Sequence, residues 1–512
     1  MTEIIGRSSR VAFLNISSNL GYFILNIFAS LWMVSFFLEK LTFSQYGMIP
    51  LAITIASYFN VITAGFNMAV GRYLTLALNE SDFGKAKQIF NTSFWACGGA
   101  ALIISAAGYA TYFNVGMVVD IPAGLEADVG WLFLLTTCSL AITLFGTTFS
   151  AVSYSKNRFD LQNLSNIAAL LVKVAVVALL FELYTPKLWH VGVATCCAAL
   201  VGLIASSWSA HLLVHDLRPR MADFSWPDLR TLGSMSAWVF IGQIGTILLI
   251  NIDLLVANRL LGADAAGRYA VVLQWSILLR NLAMVISAAL GPTVLRIYAT
   301  AKNEDLLAYS KQSIRLMGLL LALPVGLICG FAKPLLTVWL GPPFADLSGL
   351  LVAATWHLAI NLAFLPLHHV NMATNHVKWP AITQLIAGIL NVLLAIWLGR
   401  QFGLYGIAMA GAVVLLARNV VFTPIYAAFQ LKAPIFTLCP PGLPGAMLAL
   451  AVGSSSWLIS YVFILESWIY ILIAGACIFC GYAAVLWKIF FNEGERLTFR
   501  GYFRAVTIRG RL

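Results

Sequence analysis

The sequence predicts an all-α polytopic integral membrane protein, and three observations support this. Of its 512 residues, 61% are hydrophobic and only 10% are charged, which excludes soluble globular and disordered chains. The hydrophobic residues form about fourteen apolar runs, each long enough to cross a bilayer as a helix. Lys and Arg concentrate in alternate loops, so the net charge of +11 is interpreted as a topology signal and not as nucleic-acid binding.

The fourteen predicted spans begin with an uncleaved helix, because the run that follows Arg7 and Arg10 is too long for a signal peptide. The spans are Val11 to Leu38, Gly47 to Leu78, Ile89 to Phe113, Val129 to Ser153, Leu161 to Phe181, Val191 to Val214, Thr231 to Ala257, Ala270 to Tyr298, Ile314 to Leu340, Leu347 to Ala373, Pro380 to Gln401, Leu404 to Phe429, Leu443 to Leu465 and Trp468 to Phe491.

The distribution of charge in the loops predicts the orientation of the chain. Most Lys and Arg fall in the loops that are cytoplasmic when the N-terminus is inside. The opposite loop at 114–130 carries Asp120, Glu126 and Asp128 and no basic residue. We therefore expect both termini to be cytoplasmic.

A shift of 220 residues brings the two halves of the chain into register. It aligns Arg10 with Arg230 and Gly47 with Gly267, together with the loops that follow. Both halves start inside, so the repeat is parallel, with its axis along the membrane normal. The predicted organisation is two pseudo-symmetric six-helix lobes, at 1–215 and 231–432, joined by a cytoplasmic linker at 216–230. Two further spans at 433–492 and a basic cytoplasmic tail at 493–512 follow.

Three cationic residues, Lys173, Arg280 and Arg418, lie deep inside apolar spans. A charge at the bilayer centre costs roughly 2.5–3.5 kcal/mol even on the lenient insertion scale, so such residues usually face water or a partner. Buried cations suit a substrate that carries negative charge. The repeat aligns Arg280 with Asn60, which makes this position polar in both lobes.

Polar side chains form stripes on the first two spans of each half. Amide side chains at helical spacing have two explanations: they line a shared cavity, or they form hydrogen bonds between helices. Their recurrence in repeat-related spans favours a hydrated cavity between the lobes. The candidate lining residues are Asn19, Asn26, Asn60, Asn67, Gln243 and Gln274.

Three further titratable residues are candidates for coupling or charge pairing. Asp253 either neutralises a nearby arginine or binds a coupling cation. His357 and His368 share one face of the tenth span, where they relay protons, bind an anion or simply pack. H⁺ and Na⁺ both stay open as the coupling ion. No spacing of ligand residues indicates a metal site, and no cofactor is expected.

Several short motifs resemble one family, the polysaccharide (O-antigen or exopolysaccharide) flippases of the multidrug/oligosaccharidyl-lipid/polysaccharide exporter superfamily. The motifs are Gln45-Tyr46-Gly47, Ala64-Gly65-Phe66-Asn67, Gly71-Arg72-Tyr73, Ser155-Lys156-Asn157-Arg158-Phe159-Asp160, Ile252-Asp253-Leu254-Leu255 and Gly267-Arg268-Tyr269. The resemblance covers roughly the first 430 residues.

This resemblance implies a two-lobed fold and a transport function without enzymatic activity. Such proteins move undecaprenyl-diphosphate-linked oligosaccharides across the bacterial inner membrane by alternating access. The implied partners are that lipid-linked substrate, membrane lipids, a polysaccharide polymerase and a chain-length regulator, with no nucleic acid. A diphosphate needs the counter-charge that Arg or Lys provides.

Two other functions remain as alternatives. A multidrug or cation antiporter of the same superfamily would favour acidic residues in its cavity, whereas the first span has none before Glu39. A non-transport scaffold in a polysaccharide assembly complex would not require buried cations.

Overall fold

A computed structural model describes residues 2–59, 70–78, 80, 82–215, 217–235, 237–300, 303–376 and 378–490, with side chains at all of these except 2–13, 16, 233–235 and 237–239. The described residues form α-helices joined by short loops, and no β-strand occurs among them. The predicted all-α fold is confirmed.

The first half of the chain contains helices α1 to α10. They are α1 Thr2–Lys40, α2 Phe43–Ser57, α3 70–78, α4 Phe83–Val118, α5 Glu126–Ser155, α6 Phe159–Leu183, α7 Leu188–Leu213, α8 Trp226–Met235, α9 Ala237–Ile250 and α10 Ile252–Leu261.

The second half contains helices α11 to α20, two of which continue into short π-helical segments at Ala417–Phe422 and Leu486–Phe490. They are α11 Ala263–Thr300, α12 Asn303–Gly330, α13 Ala332–Leu340, α14 Ser348–Thr355, α15 Leu358–Asn361, α16 Leu367–Ala373, α17 Lys378–Leu416, α18 Thr423–Gln430, α19 Leu443–Val462 and α20 Trp468–Val485.

Within the described ranges, 11 helices are long and apolar enough to cross a membrane. The pair Phe240–Ile250 and Ile252–Leu261, bent by 42°, gives a twelfth if it forms one span. The segment Lys378–Gln430 counts once, although it covers two predicted spans and contains the non-helical Gly403. The second predicted span runs through 60–69, outside the described residues. The count of fourteen therefore stays a prediction.

Local sequence signals explain where several helices begin and end. Thr42 and Gln45 form a capping box before α2: the Thr42 Oγ1 accepts from the Gln45 N–H at 3.3 Å, and the Gln45 Oε1 accepts from the Thr42 N–H at 3.0 Å. Asp82 caps α4 by accepting the Lys85 N–H at 2.9 Å. Gly262 ends α10 at φ +90°, a conformation that glycine adopts without steric cost.

Gly47 and Gly267, which the 220-residue shift aligns, contact each other directly where α2 meets α11. A Cβ on Gly47 would lie 2.7 Å from the Gly267 backbone N and 3.2 Å from the Ala263 O. A Cβ on Gly267 would collide in turn with the carbonyl of Phe43, the residue that the 220-residue shift aligns with Ala263. The contact is thus reciprocal, as a pseudo-two-fold axis requires.

The chain divides into two compact units. The first comprises Met1–Gln274 and Asn375–Arg418, and the second comprises Trp275–Thr374 and Asn419–Leu512. In the first, Phe90 and Phe149 pack edge to face in the cluster that also buries Leu74 and Val152. The predicted lobe boundaries stay a prediction.

In the second unit, close packing brings α12 against α19. A Cβ on Gly326 would lie 2.7 Å from the Val452 Cβ, and one on Gly330 would meet the Ser456 side chain. Small residues at such a crossing let two membrane helices approach closely.

Candidate functional site

The first unit contains a partly open cavity of about 1010 Å³ between α3, α5, α6 and α7, termed the polar cavity below. Its lining is dominated by hydroxyl, amide, cationic and small side chains. The lining residues are Gly71, Arg72, Thr75, Leu76, Ser139, Thr143, Gly146, Thr147, Ser150, Ala151, Tyr154, Gln162, Ser165, Asn166, Ala169, Lys173, Thr195, Ala198, Ala199, Gly202, Leu203 and Ser206.

Two cations line the polar cavity without an opposing acid. Lys173 lies half-buried in the middle of α6, and Arg72 lies on α3. The described lining contains no carboxylate, and no ion pair with another described residue engages either cation. Arg72 is exposed and Lys173 is half-buried, and two positive charges without a described carboxylate favour anions over cations in this cavity.

Seven hydroxyl groups of the lining donate their protons to backbone carbonyls of their own helices. Thr143 Oγ1 donates to the Ser139 carbonyl at 2.8 Å, and Thr147 Oγ1 donates to the Leu144 carbonyl at 2.6 Å. Thr75, Ser165 and Thr195 bond in the same way to the preceding turns of α3, α6 and α7. A hydroxyl bonded like this keeps its lone pairs, so it faces the cavity as an acceptor.

The predicted stripe on the first span serves partly to pack α1 against α6. Asn15 donates to the Asn157 carbonyl at 2.9 Å and accepts the Asp160 N–H at 3.0 Å. Asn163 of α6 donates to the Asn19 Oδ1 at 3.0 Å. Asn26 is half-buried farther along α1. Neither Asn19 nor Asn26 belongs to the polar cavity lining.

The loop before α6 is shaped by its own motif. Asn157 adopts φ 54°, in the left-handed region that asparagine tolerates better than most residues. Arg158 donates two hydrogen bonds of 2.8 Å to the Asp160 carboxylate, so the pair is bidentate. The partly exposed Asp160 carboxylate holds the pKa of Arg158 above its ordinary value.

Asn60 and Asn67, the candidates from the second span, lie outside the described residues. Gln243 on α9 and Gln274 on α11 are half-buried in the first unit. Neither lines the polar cavity.

Asp253 lies buried at the start of α10, directly after the bend that follows α9. The fully buried Asn391 of α17 donates to its carboxyl group at 2.8 Å and to the Leu248 carbonyl at 3.2 Å. Nearby, Gln384 donates to the Thr246 Oγ1 at 3.4 Å. Sequence reasoning missed Asn391, although Gln384 and Asn391 have the i, i+7 spacing of one helical face.

His357 belongs to a buried hydrogen-bonded group in the second unit. Its Nδ1 lies 3.1 Å from the Asn361 amide nitrogen, and Asn419 donates to the Asn361 Oδ1 at 2.6 Å. His368 is half-buried one helix later, and its neighbour His369 contacts the Ser287 hydroxyl at 3.2 Å. The short helices α14, α15 and α16 follow one another with right-handed helical backbone at Trp356, Leu362 and Pro366, so that Pro342–Ala373 forms one candidate span. That His357 and His368 share one face stays a prediction.

Of the three predicted cations, the structure places Lys173 on the polar cavity. Arg280 is half-buried on α11 within the second unit. Arg418 is buried in the π-helical segment that follows α17, at the end of the first unit. Neither arginine is part of the cavity lining. Sequence reasoning missed Arg72 as a cavity cation, although it is the arginine of the Gly71-Arg72-Tyr73 motif.

Comparison with known proteins finds one matching family and two similar proteins. Residues 12–298 match the family described as "Polysaccharide biosynthesis protein". The chain is 32% identical over 491 residues to "Uncharacterized membrane protein EpsK" of Bacillus subtilis (strain 168), covering 94% of this chain and 96% of that protein. It is 21% identical over 310 residues to "Putative O-antigen transporter" of Shigella flexneri, covering 58% and 69%.

Solved structures of similar fold are transport proteins. The lipid II flippase MurJ in an inward closed conformation aligns with a TM-score of 0.67 at 13% identity, covering 93% of this chain and 99% of that chain. An inward-facing multidrug resistance MATE family transporter of the MOP superfamily aligns with a TM-score of 0.60 at 13% identity, covering 87% and 99%. At this identity the likeness establishes the fold.

Proposed function

Because the chain belongs to the polysaccharide biosynthesis protein family, we propose that it is a flippase for surface polysaccharide precursors. It moves an undecaprenyl-diphosphate-linked oligosaccharide from the inner to the outer leaflet of a bacterial inner membrane by alternating access. The flippase-type fold supports this role. A polymerase and a chain-length regulator are the partners expected downstream.

The observation that carries this proposal is the charge of the polar cavity. Lys173 and Arg72 face a lining that contains no carboxylate among the described residues. A translocated lipid-linked oligosaccharide carries a diphosphate, and cationic side chains are the groups that hold phosphate oxygens. Arg280 and Arg418 remain proposed substrate contacts, and Asp253, His357 and His368 remain proposed coupling or charge-pair residues.

The test is flipping in proteoliposomes that contain the purified chain and the lipid-linked oligosaccharide of its source membranes. The fraction of substrate in the outer leaflet is read by an impermeant sugar-oxidising reagent. Wild type should speed the movement between leaflets. Lys173→Gln should slow it about tenfold or more, because a charge-assisted hydrogen bond is lost, whereas Lys173→Arg should retain most of the rate.

Lys187→Gln is the matched control, since Lys187 is exposed before α7 and lies off the cavity lining. Flipping by this variant should equal that of wild type. If wild type leaves the substrate in its original leaflet, the flippase proposal is wrong. If it instead extrudes a lipophilic cation, the antiporter alternative replaces it, and a cellular requirement without flipping would favour the scaffold.

A further inference from the structure

The polar groups that the polar cavity offers to an occupant, among apolar and small side chains, are mainly acceptors and cations. The lining hydroxyls donate to helix carbonyls and present lone pairs inward, as Thr143 and Thr147 do. Such a surface pairs best with a ligand that is rich in hydroxyl donors. An apolar ligand would leave these acceptors without partners at a cost in free energy.

The cations define the second requirement. Lys173 and Arg72 contribute two positive charges, and the described lining contributes no negative one. A neutral saccharide would pair with the hydroxyl acceptors but would leave the half-buried Lys173 and the more exposed Arg72 without a counter-charge from the ligand. An occupant with its own negative group satisfies both features at once. The amides of Gln162 and Asn166 add donors for its oxygens.

The size and shape of the cavity agree with a bulky hydrophilic group. Its volume of about 1010 Å³ lies at the upper end of the range for ligand pockets, roughly 300–1,000 Å³. Small residues such as Gly146 and Gly202 widen it, and Tyr154 is its single described aromatic residue. The described lining therefore offers one aromatic ring and not the several aromatic faces that would surround a lipophilic cation.

We propose that the polar cavity is a binding site for a polyhydroxylated anion, which is the acidic part of the saccharide carried on the lipid. The inference rests on the proposed flippase function and adds that the substrate brings a negatively charged sugar into the first unit. This charge comes either from a carboxylate on a sugar or from the phosphate attached to the first sugar.

Ligand-induced stabilisation of the purified full-length chain tests this proposal, since a ligand that binds the folded state raises its unfolding temperature. The probes are glucuronate, glucose 1-phosphate, glucose and inorganic phosphate at constant ionic strength. We expect at least one of the two sugar anions to stabilise the protein at lower concentration than glucose or phosphate. If only glucuronate stabilises the protein, the negative group is a sugar carboxylate. If only glucose 1-phosphate does so, it is the phosphate on the first sugar.

Two variants connect that binding to the cavity. Lys173→Gln should weaken binding of the sugar anion about tenfold or more, and Lys173→Arg should largely preserve it. Thr143→Val removes a hydrogen-bond acceptor from the cavity at nearly constant side-chain shape. It should therefore weaken the binding of the sugar probes and leave the binding of inorganic phosphate unchanged. Thr111→Val is the matched control, because Thr111 also bonds to its own helix, α4, but does not line the cavity.

The proposal is overturned if glucose or phosphate binds as tightly as the sugar anions, if neither sugar anion binds, or if Lys173→Gln binds like wild type. Should Lys173→Gln fail to fold, Arg72→Gln provides the same comparison on a different helix. Wild type that flips its substrate but binds no sugar anion would disprove this inference alone. Wild type that binds the anion but does not flip would disprove the proposed function alone.

Discussion

Buried acidic groups in a membrane helix need donors, and Asn391 supplies one to Asp253. Both side chains are almost fully buried, and the Asn391 amide also reaches the backbone of α9 through the Leu248 carbonyl. One amide thereby ties α17 to both sides of the bend between α9 and α10. Gly411 adds to this packing, because a Cβ there would lie 3.2 Å from the Asp253 Oδ2.

We expect Asn391→Leu to lower the thermal unfolding midpoint of the purified protein. The change removes the donor to a buried carboxyl group, which costs about 1–3 kcal/mol. Gln384→Leu on the same helical face is the control and should have a smaller effect, because its bond to Thr246 is long at 3.4 Å. Equal midpoints for Asn391→Leu and wild type would show that this amide does not stabilise the bend.

At the scale of single residues, the sequence identified polar side chains but not the residues they bond to. Helical spacing correctly placed Asn15 and Asn19 on one face of α1, yet part of that face packs on α6. Spacing along one helix defines direction relative to that helix and contains no information about the neighbour it meets. Asp253 was recognisable as an acid inside an apolar span, but its partner Asn391 was not, because the sequence does not show which helices pack together.

At the scale of the elements, the turn between α5 and α6 depends on one residue with a left-handed backbone conformation. Asn157 has φ 54°, and its carbonyl accepts the Asn15 amide at 2.9 Å, so the turn also anchors α1. The Arg158 N–H closes the turn by donating to the Ser153 carbonyl at 2.9 Å. The motif around Asn157 therefore has a structural explanation in addition to its family resemblance.

Asn157→Gly should keep near-normal stability, because glycine adopts this φ without a clash. Asn157→Val should destabilise the protein by about 1–3 kcal/mol, since a β-branched residue is strained at positive φ. Thermal unfolding of both variants in the same detergent measures the difference. If valine proves as stable as glycine, the left-handed turn is not the reason for asparagine here.

The crossing of α2 and α11 depends on the absence of two side chains. Gly267→Ala places a methyl group against the Phe43 backbone, which cannot rotate away as a side chain would. We expect this variant to separate the helices, with a lower unfolding midpoint and slower flipping in proteoliposomes. Gly99→Ala on α4 is the control, because nothing lies within 4 Å of its added Cβ. Wild-type behaviour of Gly267→Ala would contradict the close crossing.

The elements differ in how well their sequences predict them. Long apolar helices such as α5, α6 and α7 match their predicted spans because apolar length is a strong signal. The tenth span also appears as one candidate span, Pro342–Ala373, but its hydrogen bonding changes at Leu362–Phe364 and at Pro366, which apolar length does not predict. The polar cavity could not be predicted, since Ser and Thr satisfied by their own helices are common in membrane spans and give no distinctive pattern.

For the whole molecule, the internal repeat was the most informative sequence feature. Its 220-residue register aligns Gly47 with Gly267 although residue identity between the halves is weak, and the structure brings these two glycines into contact. The crossing leaves no room for a Cβ on either residue, which explains why glycine occurs at both aligned positions. The charges in the loops, by contrast, predict the orientation of the chain relative to the membrane. That orientation can be tested only with the protein in a membrane.

We predict that the loop between α4 and α5 faces away from the cytoplasm and that the linker before α8 faces it. Ala123 and Ala222 are exposed residues of the same type in these two segments, and they form a matched pair for cysteine labelling. In a variant whose eight native cysteines are replaced, an impermeant maleimide should label Ala123→Cys in intact spheroplasts. Ala222→Cys should react only after permeabilisation, because basic loops stay inside. The reverse pattern would invert the topology and place both termini outside.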